Sequence, residues 1–236
     1  MTWPEWAQFG VTLFIGVVAL FAAITGPYVA DRYKRWRLAP RLHIECKNGP
    51  PYCHRTKAAF PNPPEEFETY YFTFSIENKG KSQARSCEVV LEAVCTADEK
   101  HVYHQVKEFW PTNLTLLGNL RMDINPGRPP IYVAIGHISE PKCQEKREHP
   151  YSIATDRSDY NRFILNYPQG QRYFFKIDSR PRGTHLFKLA IVGENFETVR
   201  RQIELRWTGN WTEDEDEMLT KEAVVRLAEE AEYHCA

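Results

Sequence analysis

Four residues, His43, Cys46, Cys53 and His54, lie close enough in sequence to raise the question of a metal site. Structural zinc takes thiolate and imidazole ligands in pairs two to four residues apart, so that one turn presents both members. Cys46 and Cys53 are too widely spaced for such a turn, and the chain contains no Cys-x-x-Cys. His101 and His104 would add two imidazoles, but on a strand a separation of three places them on opposite faces. The pattern favours packed side chains over zinc, and neither a metal nor a cofactor is expected.

Nucleophilic chemistry has no better footing. The sequence holds no Gly-x-Ser-x-Gly elbow, no Gly-x-Gly-x-x-Gly turn and no phosphate-binding loop. Glu65-Glu66 and the run from Glu213 to Glu217 read as solvated acids, since nothing around them would push two carboxyl pKa values apart. A non-enzymatic protein is therefore expected, with an enzyme or metal protein of unfamiliar site as an alternative. Charged residues make up 26% of the chain and the net charge is -1, so no global basic field invites nucleic acid.

The strongest element that must position anything here is apolar. Residues 6–30 carry no charge and include Phe9, Val11, Leu13, Phe14, Ile15, Val17, Val18, Leu20, Phe21, Ile24 and Val29. About 20 such residues cross a bilayer as a helix. Summed on insertion scales, the large apolar residues favour transfer by roughly 4 kcal/mol, more than Gln8, Thr12 and Thr25 cost. A cleaved signal peptide would need a basic start and a shorter apolar core, neither of which is found. Trp3 and Trp6 before the segment, and Tyr28, Tyr33 and Trp36 after it, suit the headgroup layer. Ala19 with Ala23, and Ala22 with Gly26, are small residues four apart that would let two such helices approach closely in a homo-oligomer.

Orientation follows from the flanks. Glu5 precedes the segment, whereas Arg32, Lys34, Arg35, Arg37 and Arg41 follow it. The positive-inside rule puts residues 1–5 outside as a short extracytoplasmic tail and the C-terminal domain in the cytoplasm of a single-pass cell-membrane protein. The basic linker, 31–40, would meet anionic lipid headgroups of the bilayer. The six cysteines show no framework spacing and are expected to be reduced, as a cytoplasmic setting would keep them. The sequons at Asn113 and Asn210 would matter only with the opposite topology.

Residues 41–211 read as a domain of short antiparallel strands. Tyr70, Phe72, Phe74 and Ile76 alternate with Tyr71, Thr73, Ser75 and Glu77, which predicts a half-buried strand. A second alternation places Cys87, Val89, Leu91, Ala93 and Cys95 on one face. Further strands are predicted over 41–46, 101–109, 119–124, 130–136, 171–178, 184–193 and 200–207. A Pro-rich connection runs from Gly49-Pro50-Pro51 to Pro61-Asn62-Pro63-Pro64, and 139–160 reads as a long surface excursion. The final region, 212–236, is predicted to be an acidic helix, with a capping box at Thr212-Glu-Asp-Glu215 and helix-favouring residues from Glu217 to Tyr233. Trp110 and Trp207 suit the core; Trp211, after Gly209-Asn210, is the tryptophan expected to be exposed and available to a partner.

The run from Phe74 through Asn78-Lys-Gly80 to Ala84, followed by Cys87-Glu-Val-Val-Leu91, resembles an immunoglobulin-like domain of the cell-adhesion-related bacterial type. Asn125-Pro-Gly127 and Leu186 to Val192 are similar to its later strands. The resemblance spans about residues 68–207 and implies an immunoglobulin-like β-sandwich. With the anchor included, the chain resembles bacterial single-pass membrane proteins, a likeness that implies no activity. The expected function is a membrane-anchored interaction or sensor module working with a protein partner. An oligomerising effector that forms a pore or disrupts a membrane, as in bacterial defence, is the alternative.

Overall fold

The computed structural model describes residues 3–61, 64–106, 109, 111–140, 163–165 and 183–228. It begins with one long helix, α1 (Trp3–Leu38), and continues as strands. Twenty of its residues, Phe14–Tyr33, are apolar enough to cross a membrane, and none of that window is buried within the chain. The helix does not stop at the basic flank, as the division at residue 30 anticipated, but carries it: Arg32 to Arg37 continue the same helix. Pro27 sits inside it without ending it.

The rest is mainly β. Strands β1 (Leu42–Glu45), β2 (Cys53–Pro61), β3 (Pro64–Asn78), β4 (Ala84–Ala97), β5 (Tyr103–Gln105), β6 (Thr112–Leu114), β7 (Met122–Ile124), β8 (Ile131–Ser139), β9 (Phe163–Leu165), β10 (Gly183–Val192) and β11 (Val199–Trp207) follow in order. A short helix α2 (Glu215–Glu217) and a wider turn over Met218–Glu222 then lead into β12 (Ala223–Ala228). Two antiparallel sheets result, one of order β1-β3-β8-β9 with β2 also on β3, the other β12-β11-β10-β4-β5 with β6 and β7 also on β4. Their inward residues, among them Phe72, Phe74, Ile76, Val89, Leu91, Ile135, Phe187, Leu189 and Trp207, form one core.

Several expectations are corrected. The Pro-rich connection contains a strand: β2 pairs with β3 from Cys53↔Phe72 to Pro61↔Pro64, which places Glu65 and Glu66 on β3. Pro51 and Pro61 stand at the ends of this edge strand, where a missing N–H costs no ladder bond. The C-terminal helix exists but is short. Ala223 to Ala228 pair with β11 instead, from Trp207↔Ala223 to Gln202↔Ala228. Val224 and Val225 favour a pleated surface, and the open edge of β11 offers backbone partners that outweigh the helix preference of Ala and Leu. The cap is also displaced: Asp214, not Thr212, accepts from the N–H of Glu217 at 3.0 Å. A bulge alters the phase of β4, since Ala93 faces Lys188 whereas Leu91 faces Leu189. The extra residue turns Cys95 to the opposite face from Cys87, into a separate small cluster with Tyr103, Leu186 and Ala228. The strand predicted over 171–178, Trp110, and the excursion beyond residue 140 lie outside the described residues.

Candidate functional site

The exposed surface of α1 is built from the residues that would contact lipid. Phe14, Ile15, Val17, Leu20, Phe21, Ile24, Tyr28 and Val29 are each more than half exposed. In water such a surface would be a large unfavourable patch. Thr25, the polar residue in its second half, donates its hydroxyl to the Phe21 carbonyl at 2.7 Å, so the helix itself satisfies it. Near the end of the window the Arg37 guanidinium lies 5.9 Å from the Tyr33 ring centre, a cation–π arrangement at the height expected of headgroups. Trp3, Trp6, Lys34, Arg35 and Trp36 belong to the same helix, and Arg32 is exposed on it.

Ala19, Ala23 and Gly26 are exposed, and a Cβ added at Gly26 would meet nothing. Gly16 and Ala30, not singled out from sequence, extend this set. At 100° per residue, positions 16, 19, 23, 26 and 30 fall on one side of the helix, a stripe of small residues with no described neighbour. Ala22, the fourth small residue of the predicted packing set, follows in the same helix. The signal was present in the sequence as a three-and-four spacing, but pairs four apart do not reveal it.

Three residues, Ala39, Pro40 and Arg41, separate α1 from β1, and they are held. Pro40 is buried, and a Cβ at Gly80 would come within 2.5 Å of the Ala39 carbonyl and the Arg41 nitrogen. Only glycine admits so close an approach. Asn78, itself 2% exposed, organises the contact. Its Oδ1 accepts from Arg41 N at 3.1 Å and Gly80 N at 2.9 Å, and its Nδ2 donates to Ser82 O at 2.8 Å and Ile124 O at 2.9 Å. Lys79 N donates to Arg41 O at 2.8 Å. By itself Asn78-Lys-Gly80 reads only as turn chemistry. Its partners 37 and 46 positions away leave no local trace.

The residues first suspected of chemistry are dispersed. His43 is exposed, whereas Cys46 and Cys53 are buried. The Cys46 thiol points at Thr73 O and the Cys53 thiol at Lys47 O. Burial raises both thiol pKa values, that of Cys53 to about 12, so neither supplies a thiolate near neutral pH. His54 stacks on Tyr71 with ring centres 6.3 Å apart. His104 meets Asp98 at 3.1 Å, while His101 sits in a turn with φ 59°. Among the described residues no three of His, Cys, Asp and Glu converge as a metal site would require. Cys95 is disulfide-bonded, which corrects the expectation that every thiol is reduced. Trp211 is half-buried, its ring edge-on to Tyr70 at 4.9 Å, and packs against the core.

Two carboxylates are specially held. Glu45 receives Lys47 Nζ at 2.6 Å and Tyr52 Oη at 2.6 Å, and these bonds, Lys47 first, pull its pKa down to about 2. Glu204, 3% exposed, accepts from Tyr103 Oη at 3.0 Å and from Arg226 Nε at 3.0 Å. Glu204 is buried within its bonds, whereas Glu45 and Lys47 stay exposed at 38% and 65%. Neither a protein-family model, nor a curated protein, nor a solved structure matches this chain.

Proposed function

We propose that this protein is a membrane-tethered interaction or sensor module, non-enzymatic, in which α1 crosses the bilayer once and holds the β-domain at its surface for a protein partner. The observation that carries this reading is the apolar window of α1, none of it buried within the chain, joined to the domain through three residues held by Asn78 and Gly80. The basic flank supports a cytoplasmic position for the domain, with Arg32, Lys34, Arg35 and Arg37 on anionic headgroups. The disulfide at Cys95 would sit more naturally in an oxidising compartment, and a tag at Ala236 reachable from outside intact cells would reverse the topology.

The strand order supports an immunoglobulin-like arrangement. One sheet runs β1-β3-β8 and the other β11-β10-β4, the neighbours expected of first, second and fifth strands against seventh, sixth and third. β12 adds a further strand beside β11. Crosslinking in native membranes tests the functional reading: a partner recovered reproducibly with the chain is expected, and a strict monomer with none would overturn it.

A second reading has its own support in the small-residue stripe at 16, 19, 23, 26 and 30, which fits an oligomerising membrane effector. Gly26→Leu would then abolish both the self-crosslink and any ion leakage on overexpression.

A further inference from the structure

The loops at one end of the β-domain are tied to the point where the helix enters. Asn78 links residues 39–41 to the loops 79–83 and 125–130, through bonds to Arg41, Gly80, Ser82 and the carbonyl of Ile124. Asn195 joins the fourth loop, 193–198, by donating to Gln83 O at 2.9 Å and accepting from Arg85 N at 2.9 Å. The apolar window ends at Tyr33 and the helix at Leu38. Five residues of helix span about 7.5 Å, so this end of the domain lies within roughly one Debye length of a membrane surface.

The loops 79–83 and 125–130 contain Lys79, Lys81 and Arg128, all exposed, and no carboxylate. Lys79 pairs with Glu77 at 3.5 Å, whereas Lys81 and Arg128 make no ion pair with another described residue. Of the acids at this end, Glu77 pairs with Lys79, Asp123 accepts from Ser86 N at 2.7 Å and Glu194 accepts from Ser86 Oγ at 2.7 Å, with Glu197 in the same loop as Glu194. Among the described residues the opposite end carries Asp98 and Glu99 in one turn and Glu213 to Glu217 in another, with Lys100 beside the first and Arg55 and Lys221 paired to the second.

We propose that the entry end is a second membrane-binding surface, in which the loops 79–83 and 125–130 lie against an anionic headgroup layer. This rests on the reading of α1 as a membrane anchor. The pinned junction makes the contact nearly intramolecular, so a few charges suffice where a free domain, with 26 Lys and Arg against 29 Asp and Glu over residues 41–236, would not bind.

The test uses the full chain in nanodiscs of neutral phosphatidylcholine or of the same lipid with about 30% phosphatidylserine, a typical anionic surface. Lysine acylation by a soluble reagent is read by mass spectrometry at each site. Labelling of Lys81 is expected to fall about threefold in the anionic discs and to recover at high salt, with Lys100 unchanged. In the surface variant Lys81→Gln with Arg128→Gln, the parallel protection of Lys79 should be lost. Equal labelling of Lys81 in both discs, with the chain incorporated, overturns the docking surface and leaves the anchor standing. A chain that does not enter discs at all removes both.

Discussion

The two halves of this molecule use the same residues in opposite ways. Phe14, Phe21, Leu20 and Ile24 of α1 are 63–70% exposed, whereas Phe72, Phe74, Leu91 and Ile76 of the β-domain are 0–1% exposed. A phenylalanine is no more willing to face water in one place than in the other. The domain removes its apolar area from water by folding, whereas α1 leaves its own exposed, as a helix that crosses a membrane would. Stability of the domain and location of the chain are therefore separable properties, and substitutions should affect one without the other.

The largest expected effect is in the core. Phe74→Ala should destabilise the β-domain by about 4 kcal/mol, measured by denaturant unfolding in detergent. Phe21→Ala should leave the same transition unmoved, because its ring touches no domain residue. A matching loss in both would mean that α1 packs on the domain.

Next comes His185, buried at the inner end of β10 with its Nδ1 3.3 Å from Thr96 Oγ1. Burial lowers its pKa from 6.5 to about 4. Between those values the unfolded chain binds a proton that the folded one refuses, so stability is complete above about pH 6.5 and is lost as pH falls toward 4. The loss amounts to about 3 kcal/mol at most. Unfolding midpoints from pH 7 to pH 4.5 should therefore decline more steeply for the native chain than for His185→Asn.

Asn78→Ala removes four hydrogen bonds and leaves buried backbone groups of the junction without partners. A cost of about 2 kcal/mol follows. The junction should also loosen, seen as faster amide exchange at Lys79 and Arg41. At the small end, Lys57→Ala breaks a pair with Glu66 in which both side chains are about two-thirds exposed, and the transition should shift by less than about 0.5 kcal/mol.

How far the sequence revealed all this depended on the range of the forces involved. The helix and β3 were legible because period and length are local: an uncharged run of apolar residues, and Tyr70 to Glu77 alternating in twos. β12 was hidden because Ala223-Val-Val-Arg-Leu-Ala is decided by the vacant edge of β11, not by its own preferences. β2 was masked by the prolines at its ends. The face of Cys95 depended on one bulge, and a one-residue shift reverses every later side chain. Of the candidate membrane segment, the aromatic and basic flanks are features of composition alone. The stripe through Gly16 and Ala30 needed the helix phase, and the Asn78 hub needed the fold.

The direct measurement is alkaline carbonate extraction of the full chain from membranes, beside Leu20→Arg with Ile24→Arg. Two arginines at the helix centre cost about 6 kcal/mol, more than the roughly 4 kcal/mol that favours insertion. The native chain should stay in the membrane pellet and the double variant should appear in the supernatant with its β-domain folded. A native chain released by carbonate, or soluble without detergent, would contradict the anchor and everything placed on it.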